Sequence, residues 1–311
     1  GGESKGGHGD LLTRSLHGPY SSSGAPAMAH TPSILLIGFG YVANHTARRL
    51  AAAGWRVLAS TRSHGTAEAI RAAGWEPVLA DPAKPAGAAT LRAASETADA
   101  LMSSVPPGDE GDPVLPALEG ADLSGKRLIY LSTTGVYGDR AGGWAFEADP
   151  VTPGQARSIR RAEAEAGWLA RGAVSLRLGG IYGPGRSAFD RLKEDRPVFD
   201  KPGQVFSRIH VDDIAAAIEA ALRRPHVAGP VNIVDDAPSS QVSVMSGAAQ
   251  MAGWPAPEVR PFDPDAASPM LASFFAENRR VSNARAKAAL GWRPAFPAWR
   301  EGLAAILAAC G

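Results

Sequence analysis

The feature that most restricts the fold of this chain is an apolar run followed at once by closely spaced glycines and a helix-like segment. Residues 34–37 are four consecutive aliphatics, Gly38 and Gly40 follow, and small or apolar residues then recur with a helical period up to Gly54. A continuous aliphatic run is typical of a strand that is buried on both faces of a parallel sheet. The stretch therefore predicts a strand, a tight turn and a helix.

The spacing of these glycines also indicates a binding function. Gly38 allows the backbone to turn, Gly40 leaves room for an anion at the helix N-terminus, and Ala43 lets the helix pack close to the strand. Unpaired N–H groups and the helix dipole attract phosphate there. A Gly-x-Gly-x-x-Ala motif alone is a weak signal, because a glycine turn can be purely structural. Here it has the strand and helix context that dinucleotide binding requires.

The composition argues against several classes of protein. The chain has 311 residues, and its 32 basic and 31 acidic side chains nearly cancel. This balance gives no sign of nucleic-acid or membrane-surface binding, and no apolar run reaches the roughly 18 residues of a membrane span. The single cysteine, Cys310, allows no intrachain disulfide, so we expect a reducing, cytoplasmic location. No His, Cys or Asp cluster has metal-ligand spacing.

Strand-like and helix-like segments alternate through the first half of the chain. Residues 1–30 are excluded from the fold, because their Gly, Ser, His and Pro clusters indicate a disordered tail or a tag. The alternation predicts right-handed crossovers, and hence an α/β fold with a doubly wound, Rossmann-like parallel sheet. The predicted strands are 34–37, 56–60, 76–80, 100–105 and 126–131, and the predicted helices after the first are 65–73, 90–95 and 114–118.

The end of the second predicted strand bears on the choice of dinucleotide. Thr61 and Arg62 stand where an NAD-preferring fold usually carries Asp or Glu, which binds the ribose 2′-hydroxyl and repels a 2′-phosphate. An arginine attracts that phosphate instead. The sequence therefore predicts NADP rather than NAD. The alternative is that Arg62 is an ordinary solvated loop residue.

Further motifs follow in an order that resembles one superfamily. They comprise residues 132–138, 147–150, 176–185, 208–214, 231–236 and 290–294. Together with the first glycine motif they resemble the extended short-chain dehydrogenase/reductases of the NAD(P)-dependent epimerase/dehydratase type. The resemblance implies an NAD(P)-binding domain over residues 31–178 and a smaller α/β substrate-binding lobe over 179–311, of which residues 209–236 return to the main sheet. It also suggests a homodimer.

One departure from the family pattern affects the expected chemistry. Family enzymes usually carry Tyr-x-x-x-Lys on the helix after the fifth strand, with a Glu four residues beyond the Lys. Aligning Glu165 with that Glu places Arg161 at the Lys position and Arg157 at the Tyr position. An arginine has no proton to exchange near neutral pH, so Arg157 cannot act as general acid or base. The chain is therefore similar to an atypical branch that lacks the usual pair.

The resemblance implies cofactor-binding and catalytic positions near the ends of the strands. Thr133 matches the family's Ser/Thr, although a strand-end threonine can equally bond its own backbone. Tyr137 could supply a phenol, but packing under the loop is the favoured interpretation. Cofactor contacts are expected from Gly38, Gly40, Tyr41, Ala43, Thr61, Arg62, Asp81, Val105, Pro106 and Ser132.

Arginines dominate the expected substrate contacts. Arg157 and Arg161 share a helix face and could clamp a phosphate or carboxylate. An ordinary surface ion pair between Arg161 and Glu165 is slightly favoured over that clamp. The full set of expected substrate contacts is Arg157, Arg161, Tyr182, Arg186 and Arg208.

The motif at residues 208–214 contains a histidine and two acids. A lone histidine in an apolar strand is more often a hydrogen-bonded core residue than a catalyst, and this interpretation is favoured for His210. We expect Asp212 and Asp213 to cap a helix that begins at Ile214.

Two functions are compatible with these features. The first is an NADP-dependent oxidoreductase or epimerase/dehydratase that acts on a small polar or nucleotide-linked substrate. Its proton would come from Thr133 together with a tyrosine or a water. The second is a regulatory binding protein that senses NADP(H) without chemistry, which the loss of the Tyr/Lys pair supports.

Overall fold

A seven-stranded sheet forms the centre of the computed structural model, which describes Gly1, residues 30–194 and residues 196–309. All its neighbouring strands are parallel, so the predicted doubly wound α/β fold is confirmed. The expected tail over residues 1–30 lies almost entirely outside the described residues. In spatial order the strands are β11 (Gly229–Ile233), β7 (Val174–Leu178), β5 (Arg127–Thr133), β4 (Ala100–Ser103), β1 (Ser33–Ile37), β2 (Arg56–Thr61) and β3 (Glu76–Leu79).

The strand order reverses between β1 and β4. Successive connections leave β1 in opposite directions there, so the carboxyl ends of these two strands border a crevice that helices do not fill. In sheets of this kind the crevice is where ligands bind. The glycine turn after β1 opens onto it.

Helices cover both faces of the sheet. Ile34 and Leu36 pack on one face, while Leu35 and Ile37 pack on the other, because successive side chains of a strand point in opposite directions. The described helices are α1 (Tyr41–Ala52), α2 (His64–Ala72), α3 (Pro85–Glu96), α4 (Val114–Ala117), α5 (Ala156–Leu169), α6 (Ala188–Leu192), α7 (Val211–Leu222), α8 (Gln241–Ala252), α9 (Pro269–Phe275), α10 (Ala284–Ala289) and α11 (Trp299–Ala308). None of them is long and apolar enough to cross a membrane.

Three short parallel strand pairs lie beyond the carboxyl edge of the main sheet. They bring distant parts of the chain together. An apolar core under α8 and α11 supports two of the pairs, and a different apolar cluster contains the third. The pairs are β8 (Gly180–Tyr182) with β10 (Arg208–His210), β9 (Val198–Asp200) with β12 (Val259–Pro261), and β6 (Trp144–Ala145) with β13 (Arg280–Val281).

Two helices begin at clearly different residues from those predicted, whereas the other predicted boundaries lie within two residues of the observed ones. The helix predicted over 90–95 begins earlier, at Pro85, because proline is favoured in a first turn, where its missing N–H costs nothing. Helix α7 begins at Val211 rather than Ile214, and His210 is its N-cap. The Nδ1 atom of His210 accepts from the backbone N–H of Asp212 at 3.2 Å. The predicted capping by the two aspartates is therefore wrong.

Candidate functional site

The turn after β1 is packed so tightly that its first glycine cannot be replaced without strain. Gly38 has φ +86°, a conformation that L side chains rarely adopt. A Cβ atom on Gly38 would lie 2.9 Å from the Cγ2 atom of Val105, which follows β4. The N–H of Gly38 donates to the hydroxyl of Ser60 on β2 at 3.0 Å. The turn is thus held against the ends of both neighbouring strands.

The second glycine of the motif faces open space. Gly40 is the N-cap of α1 with φ −101°, and it supplies no side-chain cap. A Cβ atom on Gly40 would meet nothing within 4 Å, so neither packing nor backbone conformation requires glycine there. The first N–H groups of α1 have no intrahelical partner and point into this space. Ala43 is completely buried, as close packing of α1 on the sheet requires. The arrangement fits an anion such as a pyrophosphate.

The end of β2 presents a cation beside the crevice. Arg62 is exposed and has no hydrogen-bond or ion-pair partner among the residues that the structure describes. The hydroxyl of Thr61 accepts from the backbone N–H of Ser63 at 3.1 Å, which fixes the turn that carries Arg62. Asp81, after β3, accepts from Ala83 in a similar turn.

Other expected cofactor contacts lie on either side of the crevice. Val105 is half-buried against the glycine turn, and Pro106 next to it is exposed. The phenol of Tyr41 donates to the carbonyl oxygen of Pro184 at 3.0 Å, and burial raises its pKa to about 12. Tyr41 therefore fastens the start of α1 to the loop that carries Arg186, whose guanidinium carbon lies 5.9 Å from the centre of the tyrosine ring.

A buried ion pair lies under the end of β5. Glu165 on α5 is 2% exposed and accepts from Arg177 on β7, from Nε at 2.9 Å and from Nη2 at 2.5 Å. Its other oxygen accepts from the hydroxyl of Ser132. The predicted surface pair between Arg161 and Glu165 is therefore wrong. The hydroxyl of Ser132, an expected cofactor contact, is used inside the protein.

Tyr137 belongs to the same buried region. Its phenol donates to the Oδ1 atom of Asn232 at 2.7 Å, and the guanidinium carbon of Arg177 lies 4.8 Å from the centre of its ring. The side chain is completely buried, which raises the pKa of the phenol. A phenol in this position cannot reach a substrate. The catalytic assignment of Tyr137 is therefore wrong, and the side chain has the packing role that the sequence favoured.

The two arginines that replace the family's Tyr/Lys pair point to different places. The Nη1 atom of Arg161 donates to the carbonyl oxygen of Leu131 at 3.1 Å, and its guanidinium carbon lies 5.8 Å from the ring centre of Tyr130. Arg161 is thereby tied to β5. Arg157, one turn earlier, is exposed and lines a cavity. They do not form the clamp that their spacing suggested.

The cavity has a volume of about 620 Å³ and begins at the carboxyl end of β5. Thr133 lines it, with its hydroxyl accepting from the N–H of Gly135 at 3.1 Å. The other walls come from strands β8 and β10, the loop before α6, helices α6, α8, α9 and α11, and the segment from Glu277 to Val281. The structure brings together five of the residues predicted from the sequence: Thr133, Arg157, Tyr182, Arg186 and Arg208.

Arg208 and Tyr182 in the cavity wall, and the buried Asp235 near them, are ionisable groups whose pKa values are shifted by burial. Arg208 donates through Nη1 to the carbonyl oxygens of Phe206 at 3.1 Å and Ser239 at 2.9 Å. Burial lowers the pKa of Arg208 to about 10, and it raises the pKa of Asp235 to about 7. Tyr182 also has a raised pKa, mainly from burial, and its hydroxyl has no hydrogen-bond partner among the described residues.

Several lining residues escaped the sequence analysis. Most of them lie on segments without a recognisable motif. The pairing of β13 with β6, together with side-chain hydrogen bonds from Lys201 and Gln204, holds residues 273–281 at the cavity. The adjacent aromatics at 274 and 275 and the adjacent arginines at 279 and 280 were the available signals. The missed residues that matter most are Arg191, Phe206, Phe274, Glu277 and Arg279.

Known proteins resemble this chain over nearly its whole length. A conserved protein of unknown function from Silicibacter pomeroyi is 41% identical, with a TM-score of 0.82 and coverage of 90% of this chain and 99% of that one. A protein assigned to the NAD-dependent epimerase/dehydratases, from Methylobacillus flagellatus, is 29% identical over the same shares, with a TM-score of 0.71.

Sequence comparison with curated proteins identifies a reductase as a further relative of this chain. A 3-diazoavenalumate denitrifying reductase from Streptomyces is 32% identical over 171 residues. The match covers 50% of this chain and spans about half, 55%, of the length of that relative. No protein-family model matches the chain. Its fold nevertheless agrees with that of its structural neighbours, which include the protein assigned to the NAD-dependent epimerase/dehydratases.

Proposed function

We propose that this chain is an NADP-dependent enzyme that reduces or oxidises a small organic substrate bound in the cavity next to Thr133. The main observation in support is that a turn suited to a cofactor and a substrate-sized cavity lie close together at the carboxyl edge of the main sheet. The open glycine turn and the start of α1 lie at the switch point, and the cavity begins two strands away, at the end of β5. The reductase among the curated relatives supports the same class of reaction.

In this proposal the first N–H groups of α1 bind the pyrophosphate, and Arg62 binds the 2′-phosphate. The nicotinamide supplies hydride transfer when bound. Nothing in the turn at Gly40 blocks the phosphates, and the exposed guanidinium of Arg62 has no competing partner among the described residues.

The side chains near Thr133 suggest how the reaction proceeds without the family's tyrosine. Arg157 cannot exchange a proton, but its fixed positive charge in the cavity can stabilise negative charge that develops on a substrate oxygen. The hydroxyl of Thr133 can donate to the same oxygen, and the proton would come from water. Arg157 therefore acts as an electrostatic catalyst rather than a general acid.

Calorimetric titration with NADPH and NADH tests the cofactor assignment. NADPH should bind more tightly, and Arg62→Glu should weaken NADPH binding by about tenfold or more while affecting NADH far less. Arg71→Glu, an equal charge change on the exposed side of α2, is the matched control. Equal losses for both nucleotides in the Arg62 variant would refute the 2′-phosphate role. Failure of both nucleotides to bind at millimolar concentration would refute the whole proposal.

Oxidation of NADPH across a panel of carbonyl compounds tests the enzymatic assignment. Arg157→Ala should lower kcat by about 100-fold or more, as loss of one preorganised donor does elsewhere, and should leave NADPH binding intact. Arg160→Ala, on the same helix but paired with Asp109 outside the cavity, is the control.

A second candidate is a non-catalytic protein that senses NADP(H). It is favoured by one observation, namely that neither Arg157 nor Arg161 can serve as an acid or base. Tight NADPH binding without turnover of any compound, together with an altered affinity for a protein partner, would support this candidate against the first.

A further inference from the structure

The cavity next to Thr133 combines polar and apolar walls. Charged and hydroxyl-bearing side chains form about half of its lining, and aliphatic and aromatic side chains form a separate part of it, including Ile181, Phe206, Phe274 and Trp299. An apolar group of a ligand would be buried favourably against these apolar side chains.

Part of this wall is a stacked aromatic pair. The ring centres of Phe206 and Phe274 lie 4.5 Å apart, with their planes inclined by 21°. Phe274 is 41% exposed although it lines the cavity. Covering that exposed area with a flat apolar group would be favourable, since aromatic pairs gain contact energy beyond simple burial.

Positive charge adjoins the aromatic pair. The guanidinium carbon of Arg208 lies 5.7 Å from the ring centre of Phe206, and its hydrogen bonds go to backbone carbonyl oxygens. Arg157 and Arg186 also line the cavity. Among the residues that the structure describes, none of these three arginines forms an ion pair with a carboxylate. The cavity thus offers a negatively charged group cations without a direct ion-pair partner, although the buried Asp235 attracts Arg208.

Carboxylates in the same cavity limit how much negative charge it accepts. Glu277 is paired with Arg279 at 2.7 Å, and Asp190 accepts from the hydroxyl and N–H of Ser187. Glu194 also lines the wall. With five arginines among its described lining residues against these three carboxylates, the cavity keeps a net positive charge and favours an anionic ligand.

We propose that the substrate of this site is an aromatic carboxylic acid, whose ring packs on Phe274 and Phe206 and whose carboxylate binds Arg208. An arginine holds a carboxylate through charge-assisted, often bidentate hydrogen bonds. The inference rests on the proposed function, because it names the substrate of that same cavity. It replaces the expectation of a polar or nucleotide-linked substrate.

Binding of three probes to the full chain, saturated with NADP⁺, tests this substrate class. The probes are trans-cinnamate, its uncharged analogue trans-cinnamamide, and UDP-glucose. Calorimetry should detect cinnamate binding, with cinnamamide weaker by about tenfold or more and UDP-glucose weaker still. No binding of cinnamate at millimolar concentration, or tighter binding of UDP-glucose, would overturn the proposal.

Two variants test the carboxylate contact and the aromatic contact separately. Arg208→Gln should weaken cinnamate by about 10- to 100-fold and leave cinnamamide nearly unchanged, whereas Phe274→Ala should weaken both by a similar factor. Arg260→Gln, whose guanidinium pairs with Glu258 on the surface, is the control. Equal losses of both probes in the Arg208 variant would contradict the carboxylate contact.

Two precautions keep the result decisive. Arg208 is largely buried, so a variant that fails to fold gives no binding result. The exposed Phe274 provides a second test, and unchanged cinnamate binding in Phe274→Ala would overturn the ring contact. The failure of the proposed function is distinguished by titrating NADPH alone. If NADPH does not bind but cinnamate does, the cofactor assignment fails and the ligand class stands. If NADPH binds and cinnamate does not, only the ligand class fails.

Discussion

Replacing Asp235 with asparagine should stabilise the protein at neutral pH, and the gain should vanish in acid. The carboxyl group is buried, with Oδ1 accepting from the N–H of Ala237 at 3.2 Å and Oδ2 lacking a hydrogen-bond partner among the described residues. Burial raises its pKa from 3.8 to about 7, because the desolvation outweighs the attraction of Arg208. Asparagine keeps the accepting oxygen and carries no charge.

The size and sign of the effect follow from proton linkage. A carboxyl whose pKa is raised by folding contributes stability that is complete below its unfolded pKa and is lost as the pH rises through its folded pKa. For Asp235 this loss of stability occurs between pH 3.8 and about pH 7. The total loss in unfolding free energy is about 4 kcal/mol as an upper value. The excess unfolding free energy of Asp235→Asn should be small at about pH 4, should grow as the pH rises, and should reach about 4 kcal/mol above about pH 7.

Urea unfolding of both proteins across this pH range measures the difference directly. Comparing them at each pH cancels the other titrating groups, and similar m values would show that the unfolded states are alike. Asp265→Asn, at an exposed loop position, is the control for the amide replacement itself. A pH-independent difference, or a variant that is less stable at neutral pH, would refute the account of Asp235.

Three further substitutions test the packing under the site, each by urea unfolding. Gly38→Ala should destabilise the fold by about 2–4 kcal/mol, because it combines a positive φ with a close contact. Tyr137→Phe should cost about 1–3 kcal/mol, since it leaves Asn232 without its donor, and should leave kcat unchanged. Arg177→Met should cost about 3–5 kcal/mol at neutral pH, because the carboxylate of Glu165 loses its buried partner.

Each of these substitutions has a result that would contradict it. Unchanged stability of Gly38→Ala would mean that the turn relaxes freely. A large fall in kcat for Tyr137→Phe, with NADPH binding intact, would show that the phenol of Tyr137 takes part in the reaction. An Arg177→Met protein of unchanged stability would show that Arg177 is not the partner that stabilises Glu165 in the folded protein.

The sequence by itself determined the first strand, its glycine turn and the helix that follows. These are local features, because an aliphatic run, a residue with φ +86° and a helical apolar period each act over a few residues. The alternation of strands and helices then restricted the topology to a parallel sheet through the handedness of the crossovers. The exposed cation at Arg62 was predictable for the same reason, since it follows directly from the end of a strand.

Only the tertiary structure decided which polar side chains meet. Helical spacing suggested that Glu165 pairs with Arg161, but β7 places Arg177 beneath α5, and the buried carboxylate takes that partner instead. Tyr137 bonds to Asn232, which is 95 residues away in the chain. No local pattern encodes such contacts, because they depend on how separate elements pack.

The cavity shows the same division. Thr133 and Arg208 could be placed near a ligand from motifs at strand ends, whereas Phe274 reaches the wall through a segment anchored by the pairing of β13 with β6. Those two strands lie more than a hundred residues apart in the sequence. Local sequence patterns therefore predicted which polar residues lie at the carboxyl edge of the sheet. The shape and polarity of the cavity depend on long-range packing, which no periodicity of the sequence predicts.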